Sequence, residues 1–356
     1  MQYPRNKDFP KISILVALRN EAKSVRACVQ SLLRLDYPED ALEILLINDR
    51  SFDQTGAIIE ELSQNTSHIR TTHIQRGLPG LSGKANAIAQ GIEHCSGEIV
   101  LVTDGDCRVP RSWARAHVSY YQDHVGLVGG FTLLDEKNDC SGRFGKVQSL
   151  DWAYLLSVGT GAMGFGLPLS VLGNNFSFRR KAYEAVGGYR AMGFTIIEDF
   201  ALMKTLLEKT TWEVRYPIDP QMVVTSRPMA NFKEFYQQRK RWSAGGKEVG
   251  IYGKFLMFLS HFTHILLPLS FVLAPNVLFP ILGLTAVVVA DFLLLFRTTG
   301  LVERRDLLRW FPTWEAFYFC YTTLFAPVLL FPTTVVWKDI AYSWNFNWKM
   351  ARIEEK

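Results

Sequence analysis

The sequence predicts an α/β domain with a mostly parallel sheet, followed by a helical region that enters a membrane. Three observations predict this arrangement: short apolar segments alternate with amphipathic ones over the first hundred residues, acidic motifs follow two of those apolar segments, and the last hundred residues hold long apolar stretches. Apolar strands that alternate with helices are typical of a parallel sheet covered on both faces. Such sheets bind their ligands at the carboxyl ends of the strands.

The predicted elements follow one another regularly as far as residue 102. In chain order they are a strand at 11–18, a helix at 20–35, a strand at 43–47, a helix capped by Asp53, a strand at 69–74, a helix at 82–94 and a strand at 99–102. Each strand is a short, nearly continuous apolar run, whereas each helix places its apolar residues on one face. Beyond residue 129 the pattern is less regular, with a glycine-rich segment, a strand at 176–179 and a helix at 200–207.

Charge and cysteine content exclude several classes of protein. The formal net charge of the 356 residues is +5, too small for a protein that binds nucleic acid through a concentrated basic face. The five cysteines show no Cys-x-x-Cys spacing, so we expect neither a zinc site nor a disulfide framework. No apolar core follows the start of the chain, so we expect no cleaved signal peptide and a folded domain on the cytosolic side of its membrane.

Three apolar stretches lie in the C-terminal hundred residues, at 255–273, 277–296 and 316–336. Each approaches the length of about 20 residues that a membrane span needs, whereas a buried helical core usually shows apolar runs of about 10 to 14 residues. Basic residues at 297–309 agree with a cytosolic loop after the second span. Two prolines interrupt the third stretch, so a full crossing and a re-entrant segment both remain open.

The sequence therefore divides into three predicted parts. Residues 1–230 form the α/β domain, 231–253 an amphipathic interface helix and 254–356 a membrane region with about three transmembrane helices. We expect an integral membrane protein whose α/β domain is cytosolic, in the inner or plasma membrane of a bacterium.

Two aspartates separated by one glycine, Asp104 and Asp106, follow the apolar strand at 99–102. Carboxylates in this position can bind Mg²⁺ or Mn²⁺, whose coordination is commonly completed by the phosphates of a substrate. The alternative for such a pair is a solvated turn. Asp49, which follows the strand at 43–47, suits hydrogen bonds to a base or a ribose, although helix capping by its neighbours is the competing explanation.

Further polar residues complete the set of candidates. Lys84 lies in a segment that lacks the full phosphate-loop pattern, and it is either a contact to the nucleotide or an exposed lysine at a helix start. Glu198 and Asp199 precede an apolar-faced helix. A carboxylate there could take the proton of an attacking hydroxyl, or it could simply cap the helix.

Gln238 and Arg241 lie three residues apart on a predicted helix and so share a face, with Trp242 adjacent. The planar guanidinium of Arg241 could clamp a diphosphate, and Trp242 could stack on a sugar. The alternative is a basic amphipathic helix that lies on lipid headgroups, and one helix can do both. Asp291 lies in an apolar run, where an ionisable residue is a functional candidate, although the sequence shows no partner for it.

These motifs, in this order, resemble those of the family 2 inverting glycosyltransferases, which have a GT-A catalytic domain and C-terminal membrane segments. The resemblance covers residues 11–245 by motif and the remainder by hydropathy. The matching segments are ISILVALRNE at 12–21, ILLINDRSFD at 44–53, GKANA at 83–87, DGD at 104–106, GNNFSFRR at 173–180, GGY at 187–189, ED at 198–199 and QRKRW at 238–242.

The resemblance implies a role for each matching residue. It implies nucleotide contact by Asp49, metal and diphosphate binding by Asp104 and Asp106, and general-base action by Asp199. It also implies contacts of Gln238, Arg241 and Trp242 with the diphosphate and the acceptor, and a place for Asn175 on the acceptor side. One departure is Asn48, where the family often has aspartate, which puts fine nucleotide preference in doubt.

The expected function is transfer of a sugar from a nucleotide-diphosphate sugar, with uridine as the family-level expectation, to a lipid or lipid-linked hydroxyl. A processive β-glycan synthase is the first alternative. The candidate spans all follow the catalytic domain, whereas many processive synthases have spans before it as well, which favours a lipid acceptor. The second alternative is a non-catalytic nucleotide-binding membrane protein, although the acidic motifs that it would lose are intact.

Overall fold

The computed structural model describes residues 9–64, 66–81, 83–134, 142–195, 197–245, 249–330, 334–337, 340–344 and 350–352. The chain divides into two compact units. The first unit comprises Met1–Leu133 and Gly159–Arg227, and the second comprises Leu134–Val158 and Pro228–Lys356.

The elements alternate along the chain as follows. The strands are β1 (Ile12–Leu18), β2 (Leu42–Asn48), β3 (Ile69–His73), β4 (Ile99–Asp104), β5 (Val125–Gly129), β6 (Thr132–Leu134), β7 (Asn175–Arg179), β8 (Glu213–Arg215), β9 (Val224–Ser226), β10 (Thr334–Trp337), β11 (Ile340–Trp344) and β12 (Met350–Arg352). The α-helices are α1 (Val25–Leu32), α2 (Thr55–Gln64), α3 (Gly83–Gly91), α4 (Trp113–Ser119), α5 (Gly142–Gly164), α6 (Arg180–Ala185), α7 (Gly188–Met192), α8 (Glu198–Lys209), α9 (Phe232–Gly245), α10 (Ile251–Leu273), α11 (Leu278–Leu301) and α12 (Phe311–Leu330).

The first unit is built on a seven-stranded sheet of order β3-β2-β1-β4-β7-β5-β8. The four strands β3, β2, β1 and β4 are parallel to one another, β7 runs antiparallel to both of its neighbours, and β5 is parallel to β8. This mostly parallel α/β sheet confirms the predicted fold class. The central strands are almost wholly buried because helices cover the sheet.

The register of the sheet places the ends of β2 and β4 on either side of β1. Asn48 pairs with Leu18, and Asp104 pairs with Ala17, one residue earlier on β1. Asp49, directly after β2, and Asp104, the last residue of β4, therefore lie at the same edge of the sheet, as the sequence predicted.

The first helix begins later than predicted, at Val25 rather than residue 20. Asn20 has a φ of 56°, a left-handed conformation that cannot belong to an α-helix. Its side-chain oxygen accepts a hydrogen bond from the Phe52 N–H (3.1 Å), and its own N–H donates to Ser51 Oγ (3.0 Å). Residues 20–24, which were predicted as the start of the helix, instead precede it, and Asn20 contacts the loop that follows Asp49.

The second unit contains residues 142–158 of α5, the helices α9 to α12 and an antiparallel sheet of β10, β11 and β12. Within the part of the chain that is described, α10 and α11 are long and apolar enough to cross a membrane. Only 6% and 17% of the 18-residue apolar segments of α10 and α11 are buried, whereas a core helix of a soluble protein would be mostly covered.

The third predicted span, at 316–336, is not among the candidate membrane helices of the described residues. Its described residues form the C-terminal part of α12, which ends at Leu330, and the strand β10, so they do not make one continuous helix. Several α12 side chains, including Trp314, Glu315 and Tyr321, are buried within the second unit. Most apolar side chains of α10 and α11 remain exposed, although each of these helices also buries polar residues, such as His264 on α10 and Asp291 on α11.

Candidate active site

The loop after β2 is fixed by a set of side-chain to backbone hydrogen bonds. Asp53 accepts from the N–H of Thr55 (2.9 Å), the first residue of α2, and from the N–H of Ala22 (3.1 Å). The predicted capping by Asp53 is therefore confirmed. Burial alone would raise the pKa of Asp53, but these hydrogen bonds outweigh it and lower the pKa.

Asp49 is 3% exposed and accepts a hydrogen bond from Arg50 Nε (3.0 Å). Arg50 has a φ of 56°, so the chain turns sharply directly after the aspartate. The predicted nucleotide contact would use the carboxylate that Arg50 now holds, and its role stays a prediction.

Asn48, the departure from the family pattern, has two polar partners. Its side-chain oxygen accepts from the Ser51 N–H (3.1 Å), and its amide nitrogen lies 3.0 Å from His73 Nδ1. The other ring nitrogen of His73 lies 2.7 Å from Glu60. An asparagine can accept from one neighbour and donate to the other, which an ionised aspartate cannot do.

Lys84, at the start of α3, joins three elements of the first unit. Its ammonium group donates to Asp104 Oδ1 (2.5 Å) and to the Gly173 carbonyl, and it lies 3.6 Å from Glu198 Oε1. Burial would lower the pKa of Lys84, but the charges of Asp104 and Glu198 outweigh it and raise the pKa. Lys84 is thus a mostly buried cation that is paired with carboxylates and not an exposed lysine at a helix start, since its side chain is only 17% exposed.

Glu198 and Asp199 are the first two residues of α8. Asp199 is 7% exposed, and its Oδ1 accepts from the Phe200 N–H (2.7 Å). The N-cap position is occupied by Ile197, which makes no side-chain cap, so neither acid is the N-cap residue. Negative charge in the first turn still suits the helix dipole.

Gly173 provides the space in which these two carboxylates lie. A Cβ built on Gly173 would come 2.8 Å from Glu198 Oε1 and 3.0 Å from Asp199 Oδ2. The sequence alone placed Gly173 in a matching segment but gave it no role. The structure brings together Lys84, Asp104, Glu198 and Asp199 around its backbone.

Asp106 follows Asp104 after one glycine, and a Cβ on Gly105 would come 2.3 Å from Leu18 Cδ2, so a larger residue there would have to displace that side chain. The Asp106 carboxylate accepts a long hydrogen bond from Ser226 Oγ (3.4 Å). No group of three histidine, cysteine or acidic side chains that could enclose a metal occurs among the described residues. Two carboxylates fit Mg²⁺ or Mn²⁺ nonetheless, since these ions commonly take one or two carboxylates and complete their shell with phosphate oxygens.

Asn175 is fully buried, and its amide has four protein partners. Its nitrogen donates to the carbonyls of Phe131 (2.8 Å) and Met222 (2.9 Å). Its oxygen accepts from Trp113 Nε1 (2.8 Å) and lies 2.9 Å from His117 Nε2. Both polar atoms of the Asn175 side chain thus have protein partners, and its predicted place on the acceptor side stays a prediction.

Comparison with known proteins identifies the domain that carries these residues. Residues 13–187 match the family described as Glycosyl transferase family 2. The chain contains a glycosyltransferase family 2 domain. This range includes Asp49, Lys84, Asp104, Asp106 and Gly173, whereas Glu198 and Asp199 lie just beyond its end.

Several curated proteins with different named activities are similar in sequence to this chain. The chain is 27% identical over 267 residues to a probable glycosyltransferase of Bacillus subtilis, covering 72% of this chain and 59% of that protein. It is 30% identical over 243 residues to a beta-monoglucosyldiacylglycerol synthase of Synechocystis, covering 67% and 48%. It is 28% identical over 242 residues to a poly-beta-1,6-N-acetyl-D-glucosamine synthase of Staphylococcus epidermidis, covering 67% and 55%. The chain thus spans about half the length of the curated relatives that it matches.

A solved structure supports the fold of this chain. A mannosyltransferase from Pyrobaculum calidifontis, in complex with GDP-mannose and Mn²⁺, has a TM-score of 0.53 and 16% identity, covering 90% of this chain and 88% of that one. At this level of identity the likeness concerns the fold alone.

The last predicted motif, QRKRW at 238–242, lies on α9 in the second unit. Gln238 is 8% exposed, and the Trp242 ring packs edge-on against Trp152 at 4.8 Å between centroids. The guanidinium of Arg239 lies 4.2 Å from the centroid of the same ring. Arg241 and Trp242 are partly exposed, and their predicted roles stay predictions.

Two residues that the sequence reasoning missed are the buried partners Asp151 and Arg239. The available signal for Asp151 was a lone acidic residue within the apolar segment VQSLDWAYLLSV at 147–158. Acidic residues are almost never fully buried unless they are paired. Arg239 lies within the segment QRKRW, but a role was predicted only for the second arginine of that segment, Arg241.

Proposed function

We propose that this chain is a membrane-anchored inverting glycosyltransferase that transfers a sugar from a nucleotide-diphosphate sugar to a hydroxyl group of a lipid or lipid-linked acceptor. The observation that supports this most is that Lys84, Asp104 and Gly173, within the family 2 match, lie close to Glu198 and Asp199, just beyond its end. Together with Gly173, these residues come from four separate segments of the sequence.

Asp199 is the proposed general base. Its carboxylate takes the proton of the acceptor hydroxyl while the hydroxyl oxygen forms a bond to the anomeric carbon. The bond between that carbon and the diphosphate breaks at the same time, and the leaving group departs with its electron pair. Because attack and departure occur on opposite faces, one displacement inverts the anomeric centre.

Asp104 and Asp106 would hold the divalent metal, Mg²⁺ or Mn²⁺. When bound, such an ion supplies positive charge that stabilises the departing diphosphate. Asp49 would bind the nucleoside, with uridine as the expected base, and Lys84 would keep Asp104 and Glu198 in place. Gln238, Arg241 and Trp242 are proposed to contact the diphosphate and the acceptor.

A lipid acceptor is supported by the exposed apolar helices α10 and α11 and by a relative named for glucosylation of diacylglycerol. We propose that these helices hold the protein in the inner or plasma membrane of a bacterium, with the catalytic domain on the cytosolic side. No partnership with nucleic acid is proposed.

A processive β-glycan synthase is the second candidate because another relative is named for polymerising N-acetylglucosamine. The test uses the full chain in detergent, a panel of nucleotide sugars and extracted bacterial lipids, with products identified by mass spectrometry. One added sugar per lipid supports the proposal, and a ladder of products supports the synthase. Chelation of divalent metal should stop either reaction, and added Mg²⁺ or Mn²⁺ should restore it. Inactivity across the panel would favour a non-catalytic protein.

A further inference from the structure

Asp151 forms a fully buried ion pair within the second unit. It lies on α5 with none of its surface exposed, and its Oδ2 accepts from Arg239 Nη2 on α9. Its Oδ1 accepts from the Tyr321 hydroxyl (2.5 Å) on α12, with Trp314 Nε1 at 3.5 Å. The carboxylate therefore has a partner on each oxygen and ties α5 to two other helices.

Arg239 is 4% exposed and contacts two residues of the Gln-x-x-Arg-Trp motif. Its Nη1 donates to Gln238 Oε1 (3.1 Å), and its guanidinium lies 4.2 Å from the centroid of the Trp242 ring. The guanidinium also lies 4.6 Å from the centroid of the Phe235 ring. One planar cation thus fixes a polar side chain through a hydrogen bond and an aromatic ring through its face.

We propose that Arg239, held by Asp151, is a positioning residue that sets the orientation of Gln238 and Trp242 for sugar transfer. This inference rests on the proposed function of the motif. A buried ion pair is weak evidence for stability, because apolar residues of similar size often stabilise a core equally well. The directional contacts of the guanidinium with two motif residues are what an apolar replacement would lose.

The test compares two variants of the Asp151–Arg239 clamp, called the clamp variants below, with the wild-type chain in detergent. In the double variant Asp151→Asn with Arg239→Met, no charge is left buried alone, so the chain should fold. Arg239→Lys keeps the charge but lacks the planar fork that serves Asp151, Gln238 and Trp242 together. We expect both variants to lower kcat at least 100-fold while the KM for the nucleotide sugar changes less than five-fold. A pair that served only stability would leave both variants, and certainly Arg239→Lys, near the wild-type rate.

A matched control removes another buried polar contact of α5. Ser157 Oγ donates to Thr298 Oγ1 on α11 (2.7 Å), and the double variant Ser157→Ala with Thr298→Val removes both hydroxyls. We expect this control to retain the wild-type rate. If it loses activity as the clamp variants do, the effect belongs to packing of α5 in general and the proposal is overturned.

Amide hydrogen exchange separates failure of the clamp from failure of the proposed function. In the clamp variants, exchange in 238–242 should become at least ten-fold faster while α11 keeps its protection. Unchanged exchange in α9 would overturn the clamp whether or not the wild-type chain transfers a sugar. Absence of transfer in the wild-type chain, with the exchange difference present, would overturn only the proposed reaction.

Discussion

The ammonium group of Lys84 lies 3.6 Å from the Glu198 carboxylate while it also donates to Asp104. One cation therefore connects the end of β4, where a metal and a diphosphate are proposed to bind, with the start of α8, where the proposed base lies. Without it, the carboxylates of Asp104 and Glu198 would lose the cation that they share.

Replacement of Lys84 by methionine should lower the rate of transfer by about 10- to 100-fold, the effect of losing a charge-assisted hydrogen bond of about 1.5–3 kcal/mol. The physical reason is that Asp104 and Glu198 would repel each other and move apart. The measurement is kcat/KM for the nucleotide sugar. Lys204→Met is the control because Lys204 is 45% exposed and pairs only loosely with Glu208 at 4.0 Å. Equal rates in the two variants would contradict the role of Lys84.

Gly173→Ala should slow transfer without unfolding the protein. The new methyl group would meet Glu198 Oε1 at 2.8 Å and Asp199 Oδ2 at 3.0 Å, so the ends of two flexible side chains must move. A displacement of about 1 Å in a reacting group can cost about 100-fold in rate. Gly159→Ala is the control, since nothing lies within 4 Å of a Cβ at that helical position. A fully active Gly173→Ala variant would show that the carboxylates need no such space.

Stability should fall as the pH falls from about 6.5 to about 4 because of His117. Burial lowers the pKa of His117 to about 4, and its ring nitrogens contact Asn175 and Ser177 at 2.9 Å. In this range the unfolded chain binds the proton more readily, so the loss reaches about 3 kcal/mol near pH 4. The thermal midpoint in detergent should show this slope, and His117→Gln should flatten it. An unaltered slope in His117→Gln would contradict the assignment.

Much of the first unit could be predicted from sequence because its strands are continuous apolar runs with local signals at their ends. Asp49 and Asp104 follow such runs, and a parallel sheet brings the ends of its strands to one edge. The start of α1 could not be placed, since the left-handed turn at Asn20 is stabilised by Ser51 and Phe52, which are distant in sequence. Local propensity contains no information about such contacts.

The second unit was harder to predict because polar contacts between residues that are far apart in sequence join its helices. Asp151 and Arg239 are 88 residues apart, and the predicted elements between 129 and 173 included no helix at α5. In the first unit, Asn175 matched a family segment, yet its partners on α4 and at Met222 emerge only from the folded sheet. Composition predicted the length of α10 and α11 correctly, but it did not reveal buried polar contacts such as that of Asp291 on α11 with Tyr154 on α5.

The most direct test of the proposed reaction measures sugar transfer and donor binding by Asp199→Asn. The substitution keeps the shape of the side chain but removes its ability to take a proton, and general-base catalysis contributes about 10²- to 10⁴-fold. We predict at least a 100-fold loss of transfer with donor affinity within about three-fold of the wild-type value, whereas Asp123→Asn, at an exposed site, should change neither. Normal turnover by Asp199→Asn would contradict the assignment of the base and with it the proposed mechanism.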